Sequence, residues 1–277
     1  MSRAAMCRLG WALLMVGAVA GCAADGTSPG APASVTDAAR PAGSVMPRAS
    51  DETEARRRAR IRLELASNYY QQGNYNVALE ELRRTLELDP GYAAAYGVLG
   101  LVYRDLGDYA RAEESFQRGL RLAPDDPELN NNYGWFLCQT GRERESLQYF
   151  DRALRDPLYT TPARAGQNAG SCLIRLKDYA GAERYLRRSF ELDASSPVTK
   201  YLLARTYLVT GQVDRATFYY NLLARSVEST PETLWLGLRI ARANGDLRTE
   251  SQLANELRER FPRSPEVAAL ARGDFND

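Results

Sequence analysis

The sequence predicts an all-α solenoid of six helix-turn-helix repeats, and three observations carry that prediction. A Gly-Asp/Asn-Tyr turn recurs at Gly73-Asn74-Tyr75, Gly107-Asp108-Tyr109, Gly141, Lys177-Asp178-Tyr179, Gly211-Gln212-Val213 and Gly245-Asp246-Leu247, with spacings of 34, 34, 36, 34 and 34 residues. Three residues after the Tyr-type position stands a small side chain in five units (Ala78, Ala112, Ser146, Ala182, Ala216), with Glu250 in the sixth. Four further on comes a bulky apolar residue, Leu82, Phe116, Phe150, Leu186 or Tyr220, and the smaller Ala254 ends the series. A fixed period of this length marks stacked supersecondary units, none of which can bury its apolar face alone.

The chain begins with an address. Residues 1–21 read as a secretory signal peptide, with Arg3 and Arg8 ahead of an apolar run from Leu9 to Ala20 that is too short to span a bilayer with ease. Val19-Ala20-Gly21-Cys22 then resembles the bacterial lipobox, in which the cysteine is diacylated and becomes the new N-terminus. Two or three acyl chains anchor firmly where one would be marginal. Ala23 follows Cys22, where Asp would favour retention at the inner membrane in the enterobacterial sorting rule. The resemblance therefore implies a lipid anchor at Cys22 in the outer membrane, with the folded part in the periplasm. Loss of residues 1–21 removes Arg3 and Arg8 and no acid, leaving 34 basic against 35 acidic groups, a net charge of −1. Residues 22–52 hold the lipidated cysteine and a tether rich in Ala, Pro, Gly, Ser, Thr and Asp with no aromatic residue. Such a composition cannot bury enough apolar area to fold; some 28 flexible residues would reach roughly 30 Å.

The folded region is expected over 53–277, with repeats starting near residues 59, 93, 127, 163, 197 and 231 and running to about 263. The second unit, with Tyr96, Leu99-Gly100, Tyr103, Gly107, Tyr109, Ala112, Phe116 and Pro124, matches the tetratricopeptide repeat (TPR) pattern almost completely. That resemblance implies a right-handed superhelical solenoid, each repeat two antiparallel helices A and B. A small residue in helix A (Ala66, Gly100, Gly134, Gly170, Ala204) would let helix B approach; the sixth repeat has Leu238 there, with Gly237 one position early. The two extra residues of the third repeat fall around Pro157-Leu158-Tyr159, which should distort its second helix or the following loop. Asp51–Arg60, dense in Glu and Arg, reads as a solvated first helix, and Phe261-Pro262 with the tail Arg263–Asp277 as a capping helix.

Little chemistry remains available. The chain of 277 residues contains no histidine, which removes the commonest general base, the usual partner of a catalytic Ser or Cys, and most mixed-ligand zinc sites. It shows no Gly-rich phosphate loop and no Gly-x-Ser-x-Gly elbow, and its only lysines are Lys177 and Lys200. With 36 Lys plus Arg against 35 Asp plus Glu, it lacks the basic excess of a nucleic-acid binder. The expectation is a non-enzymatic protein with no catalytic residue, metal, cofactor or small-molecule substrate. Cys7 leaves with the signal and Cys22 carries lipid, so Cys138 and Cys172 remain, 34 residues apart on the first helices of neighbouring repeats. The residues alone allow a disulfide, two buried free thiols, or a reactive thiol with no histidine to activate it.

A solenoid of this type binds through its concave face, lined by the second, fifth, ninth, twelfth and thirteenth residues of each helix A. In the first two repeats these positions give Leu63, Ser67, Tyr70 and Gln71, then Leu101, Arg104 and Asp105. The third and fourth give Asn131, Trp135 and Gln139, then Arg164, Gln167, Ile174 and Arg175. The last two give Tyr201, Arg205, Leu208 and Val209, then Trp235, Arg239 and Arg242. Aromatic, Arg and apolar side chains among amides suit an extended peptide or helix of a partner. The carboxylate clamp of chaperone-binding repeats is missing, since Leu63 and Ser67 stand where Lys and Asn would. Trp135 reads equally well as core.

A longer resemblance is carried by Asn130-Asn131-Asn132-Tyr133-Gly134-Trp135-Phe136-Leu137-Cys138, Asp156-Pro157-Leu158-Tyr159, Asn168-Ala169-Gly170-Ser171-Cys172, Leu234-Trp235-Leu236-Gly237 and Phe261-Pro262-Arg263-Ser264-Pro265-Glu266. With the lipobox and six repeats, these resemble the PilF/PilW family of type IV pilus biogenesis and stability lipoproteins. The resemblance implies an outer-membrane pilotin that binds the secretin subunit and supports its localisation and multimerisation. It also implies a disulfide between Cys138 and Cys172, worth very roughly 3–4 kcal/mol for a loop of about 34 residues. No motif places the secretin contacts. The alternative is a lipoprotein scaffold or activator of another envelope complex, such as outer-membrane insertion or cell-wall synthesis.

Overall fold

The computed structural model describes residues 53–275, so the signal peptide, Cys22 and the tether expected over 22–52 lie outside the described residues. Among the described residues the chain forms thirteen helices and no strand. The first pair is α1 (Glu54–Gln71) and α2 (Tyr75–Leu88), followed by α3 (Ala93–Asp105) with α4 (Tyr109–Leu122). Then come α5 (Pro127–Gln139) with α6 (Glu143–Arg155) and α7 (Pro162–Arg175) with α8 (Tyr179–Leu192). The last pairs are α9 (Pro197–Val209) with α10 (Val213–Ala224) and α11 (Pro231–Ala243) with α12 (Leu247–Arg260), and α13 (Pro265–Arg272) closes the stack. This is the superhelical solenoid of six TPR units that the period predicts.

The turn residues act at two helices at once. Gly73, Gly107, Gly141, Gly211 and Gly245 all have φ between 70° and 84°, the left-handed conformation that ends helix A without a Cβ clash. The next amide reaches back five residues, as in Asp108 N–H to the Tyr103 carbonyl at 2.9 Å, and closes the helix end. The same Asp108 then caps α4, its Oδ1 accepting from the Arg111 amide at 3.0 Å. Asp178 and Asp246 repeat the arrangement at the starts of α8 and α12. The fourth unit keeps the geometry without the glycine: Lys177 has φ 59°, the one non-Gly residue with positive φ among those described.

Within each repeat a helix A residue without bulk receives a helix B side chain. A Cβ added to Gly100 would meet the Phe116 ring at 2.7 Å, and one on Gly170 would meet Leu186 at 2.5 Å. Phe116, Phe150 and Leu186 are thereby fully buried, each worth about 1.5–3 kcal/mol over exposure. In the sixth repeat the irregular pair divides the task. Leu238 is fully buried, while Gly237 clears the approach of Tyr220 from α10, whose hydroxyl oxygen would lie 2.1 Å from an added Cβ.

The extra residues of the third repeat leave α6 regular and lengthen the loop 156–161. Leu158 is 85% exposed there, whereas Tyr159 is buried and bonds Glu128 at 3.1 Å. The charged start of the domain is helical from Glu54; Arg56 pairs with Asp89 at 2.7 Å and lies over the Tyr92 ring.

Two substitutions test this reading by urea unfolding. Gly100→Ala is expected to lose about 1–3 kcal/mol, because the fully buried Phe116 ring has no space to retreat into. Lys177→Gly relieves a left-handed lysine and is expected to gain up to about 1 kcal/mol.

Candidate functional site

The curvature of the stack decides which helices can form a binding face. Each helix A touches the helix A of the next repeat, from α1 and α3 through to α9 and α11, whereas among the described residues no helix B packs on the next helix B. Helices that meet side by side lie on the inside of the bend, and those that splay lie outside. The inner face is therefore built from α1, α3, α5, α7, α9 and α11.

Several residues expected on that face bind the repeats to one another. The Tyr70 hydroxyl donates to Asp105 Oδ2 at 2.8 Å and accepts from Arg104 Nη2 at 3.0 Å, while Arg104 Nε donates to Asp105 Oδ1 at 2.7 Å. Burial, first, and the bond to Asp105, second, push the Tyr70 phenol up to about 12. Gln167 Oε1 accepts from the hydroxyls of Ser196 and Thr199 at 3.2 and 3.3 Å, joining α7 to the start of α9. Leu101, Tyr201 and Leu208 are half-buried against core clusters, and Arg205 is half-buried as well.

Three of the expected groove residues are not groove residues. Asn131 is 1% exposed and accepts from Asn168 Nδ2 at 2.9 Å across the α5–α7 seam, because two helices this close leave no room for an amide to face solvent. Leu63 and Ile174 belong to the core, Leu63 beside Ala66, Ala78 and Leu82, Ile174 beside Leu173, Ala182 and Leu203. Trp135 is half-buried and packs on the cluster of Cys138, Phe150, Ala169 and Cys172.

In that cluster Cys138 and Cys172 are joined by a disulfide with Cα atoms 5.8 Å apart, both residues fully buried. It links α5 to α7, one helix A to the next, at the middle of the inner face.

The structure does bring Arg104, Gln139 and Arg175 together. With Asp105, Tyr109 and Thr140 they line a cavity of about 500 Å³ spanning the ends of α3, α5 and α7. Arg175 is held by Glu143, Nε to Oε1 at 3.2 Å, so both guanidinium groups are oriented before any ligand arrives. Tyr109 was legible only as a turn residue and Thr140 carried no sequence signal; they join the site because the turn after helix A stands beside the next helix A. Such a cavity can accept a carboxylate or a backbone carbonyl and orient it by several donors. Among the described residues no cluster of Cys, Asp and Glu is placed to hold a metal ion, and no helix is long and apolar enough to cross a membrane.

Fold and face together define a protein-binding tetratricopeptide scaffold, and the tetratricopeptide repeat family matches residues 63–127, 98–167 and 173–239. The chain is 29% identical over 204 residues to the type IV pilus assembly protein PilF of Pseudomonas aeruginosa, covering 74% of this chain and 81% of PilF. It superposes on the crystal structure of PilW, a widely conserved type IV pilus biogenesis factor, with TM-score 0.72 and 35% identity over 77% of this chain and 98% of the crystallised chain. The structure of Pseudomonas aeruginosa PilF gives TM-score 0.74 and 27% identity, over 80% of this chain and all of that one. The chain belongs to the PilF/PilW family of TPR proteins.

Replacing Cys138 and Cys172 together by Ala is expected to lower unfolding stability by about 3 kcal/mol while leaving helicity unchanged, measured by denaturant unfolding followed by circular dichroism.

Proposed function

We propose that this protein is an outer-membrane lipoprotein pilotin of type IV pilus biogenesis. It is tethered to the outer membrane through acylated Cys22 with its repeats in the periplasm, and it holds a segment of the secretin subunit in the inner face while subunits reach the membrane and multimerise. The observation that carries the reading is membership of the PilF/PilW family across nearly the whole repeat region, at 35% identity to PilW. The inner face supports it chemically. Arg104, Arg175, Gln139 and Thr140 offer donors around one cavity, and Trp135, Tyr201 and Leu208, on α5 and α9 of the same set of helices, offer half-buried apolar surface. Paired charges and half-buried rings suit capture of an extended polypeptide, whose backbone needs donors and whose side chains need apolar sockets.

The mechanism is mechanical. Acyl chains supply the membrane affinity, the tether supplies reach, and the disulfide-linked centre of the solenoid keeps the face in one shape while a subunit is held.

Deleting the gene is expected to abolish multimeric secretin and surface pili; both persisting unchanged would refute the pilotin role. Cys22→Ala is expected to move the protein out of the outer-membrane fraction, and recovery there equal to the unaltered chain would refute the anchor.

A further inference from the structure

The end of the described chain turns back onto the sixth repeat. α13 begins at Pro265, 34 residues after Pro231, so it occupies the register of helix A in a seventh repeat. It stops after eight residues, where Gly273 turns with φ 69° and the Asp274 amide donates to the Ala269 carbonyl at 3.0 Å. The chain then carries Phe275 to α11. The ring stacks on Trp235, centroids 5.4 Å apart and planes at 12°, and the Arg242 guanidinium carbon lies 4.0 Å from the same ring.

Trp235 and Arg242 are seven residues apart on one helix, hence on one face and about 10.5 Å apart along its axis. That interval is filled by a single flat ring in contact with both. They are also the fifth and twelfth residues of their repeat, the positions that face a bound partner in a solenoid of this type. Arg242 is held independently by Glu250, Nη1 to Oε1 at 2.9 Å, so this half of the site keeps its place when the ring leaves. The ring has little else to secure it: α13 contains no buried residue, and Phe275 itself is only half-buried. A tryptophan face and an arginine around one aromatic ring make a receptor for aromatic side chains, by stacking and cation–π attraction.

We infer that Trp235 and Arg242 form a binding site for an aromatic side chain at the sixth-repeat end of the inner face, filled in the free protein by Phe275 of the same chain. The ligand in trans is a Phe or Tyr in an extended, acidic segment of the partner. The chain's own occupant segment is likewise acidic around one aromatic residue, Gly273-Asp274-Phe275-Asn276-Asp277, against a helix bearing Arg239 and Arg242. The identity of the competitor rests on the reading of the inner face as the partner groove; the receptor itself does not.

The site can be tested without the partner. With Trp11→Phe and Trp135→Phe, Trp235 is the single tryptophan of the chain. In that background Phe275→Ala is expected to red-shift Trp235 emission and raise its quenching by acrylamide, with helicity by circular dichroism unchanged. The free peptide Gly-Asp-Phe-Asn-Asp is expected to reverse both effects with a Kd on the order of 1 mM, as one ring and few contacts allow. It should do nothing to the chain that retains Phe275, Gly-Asp-Ala-Asn-Asp should be inert, and adding Arg242→Ala should weaken the response. Unchanged emission in Phe275→Ala, or a peptide that acts on both chains alike or on neither, would overturn the site. A failure of secretin binding would leave the site standing, and failure of the peptide would leave the pilotin reading standing.

Discussion

The contact on which the rest of this structure depends is the one between a residue without bulk on helix A and a large side chain on helix B. Gly100 under Phe116, Gly134 under Phe150 and Gly170 under Leu186 are the plainest cases. Each pair brings two helix axes close enough to exclude water from the large side chain, and each fixes the tilt at which one helix lies on the other. Because the same contact recurs every repeat, its small error in direction recurs as well, and the accumulated rotation is the superhelix. The inner face follows from that rotation and not from any motif of its own.

The side chains of that face serve two purposes. Tyr70, Arg104 and Asp105 form one hydrogen-bonded set between the first and second repeats, Gln167 ties α7 to α9, and the disulfide ties α5 to α7. Each of these links orders a group that would otherwise lose side-chain entropy on binding a partner. The charges are largely matched in place, Arg104 by Asp105 and Arg175 by Glu143. A face with matched charges exerts little long-range pull, in keeping with the balanced composition, and selects by shape and hydrogen-bond geometry.

How much of this could be read from the residues differs between fold and site. The turn positions, the helix pairs and the close-packed glycines are set by contacts between residues a fixed distance apart in sequence, so a period of 34 exposes them. Face positions are only half determined that way. The pattern states which way a residue of helix A points but not how much the neighbouring repeat covers it. Arg104, Gln139 and Arg175 sit at helix ends and open into the cavity, whereas Leu63, Asn131 and Ile174 are covered. The seam between α5 and α7 is closed by a disulfide, and along it the buried amide of Asn131 meets Asn168 and not solvent.

Sequence alone determined the all-helical class, the number of repeats, the turn between the two helices of each repeat and the absence of histidine chemistry, because each of these is local or periodic. The third dimension decided which inner-face residues remain available, that Tyr109 and Thr140 join Arg104 and Arg175, and that Phe275 returns to Trp235. Those outcomes depend on the distance between elements far apart in the chain, and that distance is set by the summed volumes of the side chains packed between them.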